Sequence, residues 1–117
     1  MMVENVIDSE NSSVSIGLIT APSVEIAKKL ATKLLDSRCV ACVNLIPSIE
    51  SMYRWEGKIQ TDRETLMIVK TTQAAQSRIT ELIAQEHPYD VPECIFTGID
   101  GGYAPYLSWV VDEVEEP

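Results

Sequence analysis

From Val14 the chain alternates, with Val14, Ile16 and Leu18 set against Ser15 and Gly17, until Ile19 breaks the pattern as in a mostly buried strand. Thr20-Ala21-Pro22-Ser23 interrupts this run. Ser23 is suited to cap a following helix, and Glu25 falls in its first turn, where the helix dipole favours an anion. Ala27, Leu30, Ala31 and Leu34 then recur at helical spacing, with Lys28, Lys29 and Lys33 on the outer side. Near Ser37 and Arg38 the apolar period drops from about 3.6 residues to about 2. Ala41, Val43, Leu45, Ile49, Tyr53 and Trp55 share one parity of a long second strand, in which Pro47 marks a bulge or an edge position.

Glu56-Gly57 has the two-residue spacing of a tight hairpin. The returning strand runs from Lys58 to about Lys70, polar beside the turn (Gln60, Thr61, Asp62, Arg63) and apolar farther in (Leu66, Met67, Ile68, Val69). Thr72 can cap a second helix whose Ala75, Ile79, Leu82 and Ile83 share a face, and His87-Pro88 ends it. Cys94, Ile95, Phe96 and Ile99 form a short fourth strand, broken by Gly101-Gly102. Pro105 suits the first turn of a third helix carrying Tyr106, Leu107, Val110, Val111 and Val114. Asp112, Glu113, Glu115 and Glu116 crowd its C-terminal end, where the dipole disfavours anions, so its last turn is expected to fray. The order predicts an α+β fold of the ferredoxin-like split βαβ type (βαββαβ) with a C-terminal helix. Right-handed crossovers would set the two main helices on one face of a four-stranded antiparallel sheet.

The two runs flanking Glu56-Gly57 rise about 3.3 Å per residue, so the hairpin spans on the order of 45 to 50 Å. A compact domain of this length has a radius of gyration of about 13 Å, so the tip carrying Met52, Tyr53, Trp55 and Ile59 must project beyond it. Exposed aromatics on open strand edges invite pairing, which predicts a homo-oligomer with Tyr53, Trp55 and Ile59 at the interface. The competing arrangement has Pro47 kink the strand and fold the tip back over its own subunit.

With 117 residues, 45% of them hydrophobic and 23% charged, the chain is expected to form one globular domain over 14–114, between a disordered arm at 1–13 and an acidic tail at 115–117. Its net charge of −9 repels a phosphate backbone, which excludes a nucleic-acid partner, and draws cations instead. The first residues lack the pattern of an export or transit signal, and no apolar run is long enough to span a membrane. With three cysteines, this reads as a protein of a reducing compartment, the cytoplasm, with no membrane partner.

The scarcity of histidine constrains the chemistry. His87 is the only one, no G-x-S-x-G or G-x-G-x-x-G is present, and Gly57-Lys58 lacks the earlier glycine of a phosphate loop because position 52 is Met. No nucleophile, base and oxyanion hole can be assembled, and the chain is read as a non-enzyme. Cys39 and Cys42 have C-x-x-C spacing but follow a helix and enter a strand, the reverse of a redox pair at a helix N-terminus; together with Cys94 they read as buried small hydrophobes. His87, Glu86, Glu93, Cys42 and Cys94 form a candidate ligand set for copper or zinc, against the alternative of a helix-end histidine in local hydrogen bonds. Lys70 interrupts an apolar strand end and calls for a carboxylate such as Glu93, a ligand, or a snorkelling position at the edge. Tyr103, Tyr106 and Trp109 have the spacing of core or interface residues and could also line a pocket.

Four motifs in order, Ala41-Cys-Val-Asn-Leu-Ile-Pro, Ser51-Met-Tyr-Arg-Trp-Glu-Gly-Lys-Ile, His87-Pro-Tyr-Asp-Val-Pro-Glu and Tyr106-Leu-Ser-Trp, make the sequence similar to the CutA1 divalent-cation tolerance proteins from Val14 to about Val114. The resemblance implies a homotrimer joined through long hairpins, like the PII signalling proteins, and a role in tolerance to divalent metals with copper as the proposed ligand. Some relatives hold copper through a first-strand cysteine and adjacent histidines before the Pro-Tyr motif; here Ile19 and Glu86 replace the cysteine and the first histidine. The metal set carried over is His87, Glu86 and Cys42, for copper or another divalent cation. The alternative is a PII-like scaffold or signalling protein with a small ligand or partner protein in inter-subunit clefts lined by Tyr53, Lys70, Tyr89, Glu93 and Trp109.

Overall fold

The computed structural model describes residues 13–115, so the expected arm and acidic tail lie outside the described residues except for Ser13 and Glu115. The elements are β1 (Val14–Ala21), α1 (Val24–Asp36), β2 (Cys42–Trp55), β3 (Lys58–Thr72), a 3₁₀ turn (Gln73–Ala75), α2 (Gln76–Glu86), β4 (Cys94–Gly98) and α3 (Ala104–Glu113). One antiparallel sheet has the order β2-β3-β1-β4, the split βαβ topology read from the sequence.

Local chemistry starts the helices where the pattern placed them. Ser23 is extended at φ −155°, and its hydroxyl accepts the Ile26 amide hydrogen at 3.2 Å. The α1 stripe Ala27, Leu30, Ala31 and Leu34 is buried, as are Ile79 and Ile83 of α2. They close over Ile19, Met67 and Val69, each 0% exposed, on one face of the sheet. Thr72 makes no side-chain cap bond; it precedes the 3₁₀ turn, and α2 starts only at Gln76.

The register places Ile16, Leu18, Leu66, Ile68, Ile46 and Ile95 on the other face. Here cover is partial. The C-terminal helix lies over the Val14–Thr72 end, with Tyr106 beside Cys42, whereas Ile46 and Ile95 remain 43% and 56% exposed.

The hairpin projects as its length requires. The longest dimension is 56 Å and the radius of gyration 15.6 Å, against about 13 Å for a compact domain of this size. Glu56 and Gly57 have φ of 51° and 77°, the two left-handed residues of a type I′ turn. The tip does not fold back: Met52, Trp55 and Ile59 are 70%, 49% and 67% exposed.

Two expectations are corrected. First, Pro47 and Ser48 form a bulge between the pairs Ile46↔Leu66 and Ile49↔Glu64, with Ser48 at φ 60°. The extra residue reverses the parity. Val43 and Leu45 face the helices, but Ile49, Tyr53 and Trp55 face the opposite side, so the single stripe expected from Ala41 to Trp55 is broken. Second, the acidic end of α3 is held by cations from other elements and is not left uncompensated. The Arg38 guanidinium donates to the carbonyls of Asp112 and Glu113 at 3.2 to 3.4 Å, Arg78 donates to that of Glu115, and the Glu115 amide donates to the Arg38 carbonyl at 2.8 Å. Two tertiary cations thus stand at the negative end of the dipole, where they oppose the effect of the local acidic residues.

Gly17 lies where β1 passes closest to its neighbours, and a Cβ there would sit 2.7 Å from Val69 Cγ2 and 2.8 Å from Phe96 Cε1. Gly17→Ala is expected to lose about 1 to 3 kcal/mol through overpacking, measured by denaturant unfolding. An unchanged midpoint would mean that Phe96 yields freely.

Candidate functional site

The bulge and the chain after α2 together build a groove. His87, 7% exposed, accepts the Tyr89 amide hydrogen at Nδ1 (3.1 Å), so Nε2 carries the proton and donates it to the Thr20 carbonyl at 2.7 Å. The two rings lie 4.6 Å apart at 52°. This fastens the 87–93 segment to the end of β1 and aims the Tyr89 hydroxyl at Glu64, to whose Oε2 it donates at 2.9 Å. The Tyr53 hydroxyl donates to Asp62.

The groove has a volume of about 610 Å³, with Met52, Trp55 and Val91 as apolar wall and Glu50, Asp62, Glu64 and Glu93 as acids. No Lys or Arg lines it. Glu64 is 8% exposed, a buried carboxylate among like charges. Burial and then the Glu64 acceptor push the Tyr89 phenol well above its usual pKa. The bond to Asp62, followed by burial, raises that of Tyr53. Burial and the Glu64 charge push the Glu93 carboxyl above the usual range. Aromatic walls and unneutralised carboxylates suit the groove to a cationic group.

Of the clefts' expected residues, the fold gathers Tyr53, Tyr89 and Glu93 here. Lys70 and Trp109 lie elsewhere. Lys70 pairs in register with Ile16 and Cys42, and its Nζ donates to Asn44 Oδ1. Trp109 stacks on Tyr106 at 5.6 Å. Lys70 is six residues from Glu64 along β3, roughly 20 Å at strand rise, so the Lys70–Glu93 pair suggested by the sequence does not form within one subunit.

The expected metal set is also dispersed. Glu86 pairs with Lys33 at 2.9 Å, both nitrogens of His87 are engaged, and Cys42 starts β2 near Tyr106. Among the described residues, no three His, Cys, Asp or Glu side chains converge to hold a metal ion. All three cysteines are free; Cys39 is buried, and burial raises the Cys94 thiol pKa. No helix among the described residues is long and apolar enough to cross a membrane.

Sequence reasoning missed Glu64, Asp62 and Glu50. A signal existed, since Asp62 and Glu64 stand two apart on one strand and so share a face. That this face also holds Tyr53 depends on the bulge.

Residues 15–113 match the family described as CutA1 divalent ion tolerance protein. The chain is 44% identical over 98 residues to "Protein CutA 1, chloroplastic" of Oryza sativa subsp. japonica, covering 84% of this chain and 55% of that protein. It is 43% identical over 93 residues to "Divalent-cation tolerance protein CutA" of Thermus thermophilus, covering 80% and 90%. The chain thus spans about half the length of the rice relative and most of the bacterial one. The crystal structure of CutA1 from Oryza sativa superposes with a TM-score of 0.87 at 41% identity, over 91% of this chain and 98% of that one.

Tyr89→Phe strips the buried Glu64 carboxylate of its phenol donor and is expected to cost about 1 to 3 kcal/mol in denaturant unfolding. Combined with Glu64→Gln, which removes the charge, the loss should be less than the sum of the two single losses. Strict additivity would show that the two groups are not coupled.

Proposed function

The chain belongs to the CutA1 divalent ion tolerance family, and on that premise we propose that it acts as a homotrimer on the plan of the PII signalling proteins, its inter-subunit clefts being the working sites. The observation that carries this reading is the combination of a projecting hairpin, with Trp55 and Ile59 exposed at its tip, and an apolar sheet face that the subunit leaves half covered. Both are costly in water and are covered by neighbouring copies. Its setting is a reducing compartment such as the cytoplasm, in keeping with three free cysteines.

The clefts take a small ligand or a partner protein, and divalent-metal tolerance follows from that occupancy rather than from tight capture of copper at His87. The engaged nitrogens of His87 favour this order of events, because a metal at Nδ1 or Nε2 would first have to break a buried hydrogen bond. The second reading, direct copper binding by His87, Glu86 and Cys42, keeps one supporting feature: Glu86 and His87 are adjacent at the end of α2.

Light scattering at micromolar concentration should give three times the 13.0 kDa subunit mass, and Trp55→Ser with Ile59→Ser should shift that mass toward the monomer. A monomeric wild-type protein would overturn the trimer. In calorimetry with Cu²⁺, binding should be weak and unsaturated, and His87→Ala should chiefly lower thermal stability. A saturable site lost in His87→Ala would establish the second reading instead.

A further inference from the structure

Cys42 differs from the other two thiols of the chain in access and in its neighbour. Cys39 is 1% exposed, and its Sγ is held between the Ser37 hydroxyl and the Leu34 carbonyl at 3.2 and 3.4 Å. Burial raises the Cys94 thiol pKa and so lowers its share of thiolate, the form that attacks an oxidant. Cys42 is only half-buried and opens β2, an edge strand of the sheet. Directly opposite it in the register stands Lys70 of β3. Such a pair has its Cβ atoms about 4.5 to 5.5 Å apart on one face, so the flexible lysine stem can set its amine against the cysteine sulfur. No carboxylate fixes that amine elsewhere. Among the described residues Lys70 forms no ion pair, and its Nζ donates to Asn44 Oδ1, two residues along β2 on the same face.

We propose that Cys42 and Lys70 form a redox-driven cross-link, a sulfenamide that ties the start of β2 to the end of β3. A peroxide transfers one oxygen atom to the thiol, so that Cys42 becomes a sulfenic acid and the peroxide leaves as water or an alcohol. The Lys70 nitrogen then attacks the sulfur. The S–N bond forms as the S–O bond breaks, one proton from nitrogen leaves with the hydroxide as water, and the ammonium's extra proton goes to solvent. Thiols reverse the link: one attacks the Cys42 sulfur and expels the lysine nitrogen, which takes up a proton, and a second frees Cys42 as the disulfide of the two thiols departs. Both partners belong to one subunit, so the link does not depend on the oligomer. It pins an edge strand and removes the Lys70 charge from the face that α3 partly covers. The C-x-x-C spacing offers a Cys39–Cys42 disulfide as competitor, but Cys39 is buried and its carbonyl accepts the Thr71 hydroxyl at 2.6 Å, which holds it in the core.

The test adds hydrogen peroxide to the folded chain and maps the products by mass spectrometry after a non-reducing chymotryptic digest. The wild type should give a peptide pair joining Cys42 to Lys70, lighter than the two free peptides together by a pair of hydrogens and split again by dithiothreitol. In Lys70→Arg the pair should vanish, while Cys42 sulfenic acid, trapped with dimedone, should rise on the order of tenfold because nothing consumes it. In Cys39→Ser the pair should persist. A wild-type Cys42 that stays a thiol while Cys39 or Cys94 is oxidised overturns the proposal. So does a Cys39–Cys42 disulfide as the main product, or Cys42 sulfenic acid that accumulates equally with and without Lys70. Light scattering on the same samples reads the oligomer separately, so a monomer that carries the link supports this inference and overturns only the trimer.

Discussion

A sheet with apolar residues on both faces has to be covered twice, and this chain has helices for one face and part of the other. Ile19, Met67 and Val69 vanish beneath α1 and α2, whereas across the sheet Ile46 and Ile95 stay open beyond the reach of α3. The β2-β3 hairpin adds strand surface that no element of the subunit can reach. What the subunit leaves uncovered is therefore set by the same accounting of surface that folds it.

The bulge at Pro47–Ser48 decides what kind of surface is left over. Without it, the β2 residues in step with Val43 and Leu45 would continue along the hairpin on the helix side, and Tyr53 and Trp55 would turn away from Glu64. One inserted residue carries them to the side where Tyr89 and Glu93 arrive from the segment after α2. A strand that begins as a wall of the core ends as a wall of the groove.

This also explains what was legible in the sequence. The element order, the Ser23 cap, the Glu56-Gly57 turn and the hairpin's excess length depend on near neighbours or on chain length, which composition and spacing report directly. Pro47 announced an irregularity, but whether a proline marks an edge or an inserted residue is settled by the partner strand, so the parity past it could not be read. The tethering of α3's end was invisible for a similar reason, since Arg38 and Arg78 come from distant elements. Lys70 lay between: its need for an anion was plain from its apolar setting, while the separation from Glu93 emerged only with the register.

His87 is fully engaged inside the fold. By type it is the best ligand the chain has, and by position it sits beside a carboxylate. Yet its Nδ1 is filled by the Tyr89 amide and its Nε2 proton by the Thr20 carbonyl, so its lone pair and its proton are both in use. Those two bonds fasten the 87–93 segment to β1, orient Tyr89 and bring Glu64 under cover. Moving the ring outward would release the wall that carries Tyr89, Val91 and Glu93. The two bonds of His87 and the shape of the groove are therefore one arrangement, held by the same buried hydrogen bonds.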